Sequence, residues 1–399
     1  MPKINDLSHW AVIACDQFTS QPDYWAMVKD LAGDSPSAYN LILPEALLNS
    51  ASPETYAQIH STMYDYLALD LFTEYKSSYI YVERTLLDGS IRPGLVGVID
   101  LEEYDYREGS TSKIRATELT VQERIPARKT IRENAPLELS HVILLCDDER
   151  KDLIESLKMS KHSMRKLYNF ELMMGGRNIQ GWLVDGDRAR AFNTRLTSYI
   201  RRKNQELSLV FAVGDGNHSL AAAKACYEEQ KAAGVNNPLA RFAMVELQNI
   251  HSDSVKFEPI HRIVKGINPD EFTSAMRNDI CAGIFAPSWP VKYYARGRRG
   301  TLHIDKAKGA SALVVIQKYL DEKGYSIDYI HDTAALVKLS EQEGCVGIEM
   351  PAFDAKAKRD FFRVISEEGV WPRKTFSMGH AKEKRYYLEA RRIRAADAR

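Results

Sequence analysis

The chain has 399 residues with 54 Lys and Arg against 54 Asp and Glu, so no net field draws it to nucleic acid or to an anionic membrane surface. With 44% hydrophobic and 27% charged residues, it has the composition of a globular protein and core material for two or three domains. Five scattered cysteines without Cys-x-x-Cys spacing argue against a zinc cage or disulfide framework, and the absence of a signal pattern or long apolar run points to a cytoplasmic protein without a membrane partner.

In chain order, WAVIAC at 10–15 reads as a strand that breaks into the polar DQFTSQPDYW and then a helix. Residues 53–70 open on a proline and carry apolar residues at three-to-four spacing, a helical pattern. SSYIYVERTL and RPGLVGVIDLEEY are strand-like and flank DGS, a hairpin signal. A charged, irregular segment follows, then a strand at 141–146, a helix at 148–160 and a Gly-rich turn into a strand at GGRNIQGWLV. RAFNTRLTSYIRRKNQE reads as a helix, and a strand at 207–213 leads into a helix at 217–233 closed by Gly234. From about 266 the pattern is helix, hairpin, helix, strand, helix, strand, helix, ending in the loop WPRKTFSMGHA and a strand at YYLEARRI. Alternating strands and helices imply an α/β or mixed α+β fold, with an N-terminal domain over 1–265 and a C-terminal α/β subdomain over 266–399. The basic runs at 201–203 and in the tail EARRIRAADAR read as solvated faces.

The strongest chemical signal is LVFAVGDGNHSL at 209–220, a strand, a tight turn and a helix start. Gly214 and Gly216 permit positive φ and close backbone approach. The first amides of the helix lack intrahelical partners and carry partial positive charge, which makes a phosphate seat. Asp215 suits a Mg²⁺ ion or a substrate hydroxyl, and His218 suits a phosphate contact or a proton shuttle. The plainer reading is that Asp215 or Asn217 only caps the helix and His218 packs on the sheet. Neither the Walker spacing nor a dinucleotide fingerprint is present.

Other candidates are weaker. Arg115, Arg124 and Arg128 surround Glu118 and offer guanidinium forks for phosphate, or else surface ion pairs. His261 and Arg262 follow a proline, and each is either a substrate contact or a hydrogen-bonded structural residue. Lys374 and Thr375 stand in a rigid basic loop that suits an anion, Lys374 being the preferred phosphate contact. Asp16, Gln17 and Thr19 follow the first strand, where α/β folds place ligands.

GDGNHSLAAAKA resembles the signature turn of the domain-of-unknown-function 1015 family, and ACDQFTSQPDYW, IRATELTVQERIPAR, NFELMMGG, FEPIHRIV, GCVGIEMPAF and WPRKTFSMGHA follow that family's block order. More distantly, the turn is similar to that of ParB and sulfiredoxin-like proteins, including kinases of free serine. That resemblance implies a ParB/sulfiredoxin-like core with elaborations. It also implies that Asp215, Gly216, Asn217 and His218 form a phosphate and metal site. Glu118 would be the base, ATP or ADP with Mg²⁺ the cofactors, and serine or phosphoserine the first substrates to consider. Ser219 departs from the pattern, since those relatives often carry arginine there, so the charge must come from elsewhere. The expectation is a phosphotransfer enzyme acting on a small hydroxylated metabolite. Alternatives are a phosphatase and a nucleotide-binding switch. Nucleic acid is an unlikely partner, and the oligomeric state is open.

Overall fold

The computed structural model describes residues 1–18, 21–48, 50–120, 122–309, 311–352, 355–367, 369–372 and 374–394. By its contacts the chain groups into two units, Met1–Lys256 with Gly379–Arg399, and Phe257–Met378. The sequence puts the division at 265/266 and gives the second part everything to the C-terminus. In the structure the residues from Gly379 onward return to the first unit.

The first unit holds strands β1 (Tyr79–Thr85), β2 (Ile91–Asp100), β3 (Tyr104–Asp105), β4 (Ile114–Ala116), β5 (Leu137–Leu139), β6 (Ile143–Cys146), β7 (Lys166–Leu172), β8 (Arg177–Val184), β9 (Phe211–Asp215) and β10 (Phe242–Asn249). Its helices are α1 (Pro22–Ala32), α2 (Pro53–Ala68), α3 (Ile125–Glu133), α4 (Ile154–Lys158), α5 (Gly186–Glu206) and α6 (Asn217–Ala232). Nine of these strands form one mixed sheet in the order β3-β4-β9-β6-β10-β2-β1-β8-β7. The β1–β2 hairpin turns where DGS predicts it: Gly89 takes φ 83°, and the Asp88 carboxylate accepts from the Ser90 amide and hydroxyl.

Each face of the sheet has its own core. Tyr81, Leu95, Leu144, Val213, Phe192 and Tyr199 pack together in one cluster with α5 and α6. The other cluster gathers Trp10, Val12, Ile13, Val28, Met63 and Leu388 from the two ends of the chain. The expected strand at 10–15 is not one. Residues 10–15 are all buried, without the alternation of a half-exposed strand, and a single bridge joins Val12 to Tyr387. Trp10 donates its indole N–H to the Leu388 carbonyl at 2.8 Å. The strand expected at YYLEARRI is shorter, Ala390–Arg392, and pairs with β5.

Among its described residues, Glu389–Arg394, the tail is not the solvated face that its charge suggests. Arg385 ion-pairs with Glu246 at 2.5 Å and Glu389 at 2.6 Å, and Arg391 with Glu138 at 2.6 Å, all largely buried. Lys203, in the other basic run, is likewise buried on Asp147 at 2.6 Å.

The second unit is built on an antiparallel five-stranded sheet of residues 288–295, 298–305, 345–349, 261–265 and 326–330, with helices at 269–280, 312–322, 333–340 and 355–367. Its hairpin, expected within VKYYARGRRGTLHID, turns at Arg296 (φ 49°) and Gly297 (φ 70°). Among the described residues no helix is long and apolar enough to cross a membrane.

Candidate functional site

Strand β9 runs parallel to β4, with Ile114 opposite Phe211 and Ala116 opposite Val213. β4 ends at Ala116, and Thr117 and Glu118 follow it at the end of the sheet where Gly214 and Asp215 close β9. The Thr117 hydroxyl ties the two segments by donating to the Val213 carbonyl at 2.6 Å. Glu118, two residues past β4, and Asp215, the last residue of β9, are 97 positions apart in sequence but follow the carboxyl ends of adjacent parallel strands, the end where α/β sheets hold ligands.

The turn itself is tighter than its two glycines suggest. Gly214 lies inside β9, and only Gly216 is left-handed, at φ 84° and ψ 25°. A Cβ on Gly216 would meet Val142 at 3.0–3.1 Å, so both conformation and space require glycine there. The first intrahelical bond of α6 runs from the Leu220 amide to the Gly216 carbonyl at 3.0 Å. The N-cap residue, Gly216, has no side chain with which to cap the helix. The amides of Asn217, His218 and Ser219 therefore lack a place in the helix ladder, as a phosphate seat requires. The Asn217 Oδ1 atom is buried without a hydrogen-bond partner.

Asp215 caps nothing. Its Oδ1 accepts from the adjacent Gly216 amide at 3.0 Å, and its Oδ2 is ion-paired with Lys384 at 2.9 Å. Burial raises the Asp215 pKa, but Lys384 and His141 outweigh it and hold the carboxyl below its ordinary value. Burial likewise pushes the Lys384 ammonium down, while Asp215, Cys15 and Glu118 together hold it above its ordinary value. Glu118, Asp215 and Lys384 therefore share one electrostatic environment.

Lys384 is delivered by a clamp. Two buried arginines, paired in register across β1 and β2, grip three successive carbonyls of the C-terminal segment: Arg84 takes those of Lys382 and Lys384, and Arg92 that of Glu383 at 2.7 Å. Beside the turn, His141 is hydrogen-bonded through Nδ1 to the Tyr387 hydroxyl at 2.5 Å and through Nε2 to the Ser219 hydroxyl at 3.4 Å. Burial drives its pKa down to about 4. His218 also falls to about 4, through burial and then through Arg128 and Arg124. Both imidazoles are neutral at pH 7, so His218 contributes a polar contact rather than a cation.

The remaining candidates separate by location. Arg128 lies close enough to depress His218 and donates to the Arg124 carbonyl at 3.0 Å. Arg115, expected to hold phosphate, is turned to structural work. Its guanidinium bonds Ser112 and Ser208, which precede β4 and β9 and so lie at the end of these strands opposite Asp215. Asp16 and Gln17 begin a 3-10 turn next to Cys15, whose thiol acts on Lys384. Thr19 lies outside the described residues.

His261, Arg262, Lys374 and Thr375 belong to the second unit. There His261 bonds Thr333 at 3.0 Å and the Met350 amide at 3.1 Å. Arg262 is fully buried, with Gln317 Oε1 at 2.9 Å and the Lys374 carbonyl at 2.8 Å. The Thr375 hydroxyl donates to Pro372 at 2.6 Å. These bonds give His261, Arg262 and Thr375 structural partners within their own unit.

Lys384, His141 and Tyr387 were not legible as site residues. Lys384 reaches Asp215 from 169 positions downstream, and no local spacing announces it. It places a cation at the turn, where Ser219 offers none.

Asp215 fits a Mg²⁺ ion poorly, because an ammonium already occupies Oδ2 and the Gly216 amide takes Oδ1. Asp147, Glu149 and His251 form a second acidic group after β6, which runs antiparallel to β9, so it lies at the other end of the sheet. Lys203 and His251 each sit 2.6 Å from Asp147, and this group reads as an ion-pair network.

The sequence model of the family described as "Protein of unknown function (DUF1015)" matches residues 3–396, and the chain belongs to that family. No curated protein matches. Among solved structures, a free serine kinase in complex with AMP is similar at 12% identity and TM-score 0.38, covering 75% of this chain and 91% of its own. SbnI with C-terminal truncation from Staphylococcus aureus is similar at 12% identity and TM-score 0.36, covering 71% and 81%. A conserved hypothetical protein from Pyrococcus furiosus is similar at 11% identity and TM-score 0.34, covering 75% and 95%.

Proposed function

We propose that this member of the DUF1015 family transfers a phosphoryl group between a nucleotide, ATP or ADP, and a small hydroxylated metabolite. The observation that carries the reading is the turn at Asp215–Ser219: a left-handed Gly216, with no side chain of its own, opens α6, and a buried ammonium is paired with Asp215 at the turn. Phosphoryl transfer asks a protein mainly to neutralise phosphate charge and to align the acceptor, and this turn offers the first of these.

In this reading the amides of Asn217, His218 and Ser219 hold phosphate oxygens. Lys384 and Arg128 neutralise charge. Neutral His218 donates a hydrogen bond. Glu118 accepts the proton of the acceptor hydroxyl, and Asp215 keeps Lys384 charged and orients the acceptor. A magnesium ion, if used, would travel with the nucleotide phosphates rather than on Asp215. With water as acceptor, the same residues would make a phosphatase.

The test is binding and turnover together. Thermal shift with ADP, ATP, CTP, phosphate, serine and phosphoserine, each with and without Mg²⁺, should show stabilisation by a nucleotide or phosphorylated compound. Glu118→Gln and Asp215→Asn should keep the fold and lose turnover. The absence of any shift, or full activity in both variants, removes the reading.

A further inference from the structure

A cavity of about 120 Å³ opens beside the turn, within the first unit. His141 and Ser219 form part of its wall, and Arg128 another part. The rest is largely aliphatic, with Leu43, Met63, Ile131 and Leu137 among its lining. Two polar groups of the wall, Arg132 and Glu138, are ion-paired with each other. Protein interiors rarely leave a void much larger than a water molecule, and an apolar void of about 150 Å³ takes up benzene. Apart from Arg128, the Arg132–Glu138 pair, Ser140, His141, Ser219 and Tyr387, every lining side chain is apolar.

Resting on the phosphate seat argued above, we propose that this cavity receives an apolar arm of the phosphorylated substrate, a single ring or a branched aliphatic group. The acceptor class is then a hydroxylated compound, or its phosphate ester, bearing an apolar group. Serine and phosphoserine, which would leave the cavity empty, are poor fits. His141 sets the border between the two halves. It flanks Gly216, with its ring carbon 3.4 Å from where a Cβ would stand, and is tied to Ser219 and Tyr387, which also line the cavity. A neutral imidazole there can sit against an apolar group without the cost of burying a cation.

The test compares inorganic phosphate, phosphoserine and phenyl phosphate by calorimetric titration of the full chain. Phenyl phosphate should bind about tenfold or more tighter than the other two, the gain expected for burying a ring. Filling the cavity with Ala222→Leu, or with Ala135→Leu should the first fail to fold, should erase that advantage and leave phosphate binding in place. Phosphoserine binding as tightly as phenyl phosphate, or an advantage that survives filling, overturns the proposal. Should no phosphate compound bind, benzene separates the two readings. A Tm rise in wild type but not in Ala222→Leu keeps an apolar ligand site and removes the phosphate seat, while no rise in either removes both.

Discussion

Lys384 and Asp215 form a pair whose side chains are 10% and 22% exposed, so breaking it leaves a charge in a poorly solvated place. Lys384→Met should cost about 2–4 kcal/mol of stability, and adding Asp215→Asn should recover part of it, as denaturant titration of the single and double variants would show. Gly216→Ala combines a left-handed φ with contact to Val142, and should cost about 1–3 kcal/mol while weakening phosphate binding. The two histidines set a pH window. Each titrates near 6.5 in the unfolded chain but near 4 in the folded one, so between these values the unfolded chain binds more protons. Their contribution is complete above pH 6.5 and is lost as pH falls toward 4. Tm should drop across that window, and a His141→Gln, His218→Gln double variant should flatten the drop. Phosphate affinity should show no break near pH 6.5 from loss of an imidazolium, since none is present.

Between elements, the parallel pairing of β4 with β9 and the return of the C-terminal segment do most to build the site. A chain ending before Gly379 would lose Lys384, the Arg385–Glu246 pair and the Leu388 carbonyl that Trp10 needs. Such a truncation should abolish the cooperative melting of the first unit, read by near-UV circular dichroism. The turn and α6 were legible because glycines, a strand run and a helix start lie within twelve residues. A role for Glu118 beside Asp215 is implied only by the resemblance of IRATELT to a family block, and the parallel pairing of β4 with β9 is what brings the two segments to one end of the sheet. The tail was misread for a physical reason. A run such as RRI looks solvated when counted alone, but Arg391 pairs with Glu138, 253 positions away in the chain. The first apolar segment was misread for the same reason, since burial among non-local partners mimics a strand.

The two units differ in how their chain is assembled. The second is continuous, Phe257–Met378, and closes its own antiparallel sheet, so it should fold when expressed alone, with a sigmoidal thermal transition. The first needs both ends of the chain, which is why the division drawn from local pattern at 265/266 differs from the one drawn by contacts. The central claim is that the start of α6 holds a phosphate beside Lys384. A crystal structure of the full chain with ADP tests it most directly. The account predicts a phosphate group within about 3 Å of the Asn217 and His218 amides, with the Lys384 ammonium in the same cluster. Nucleotide density elsewhere, or none at a saturating concentration, would contradict it.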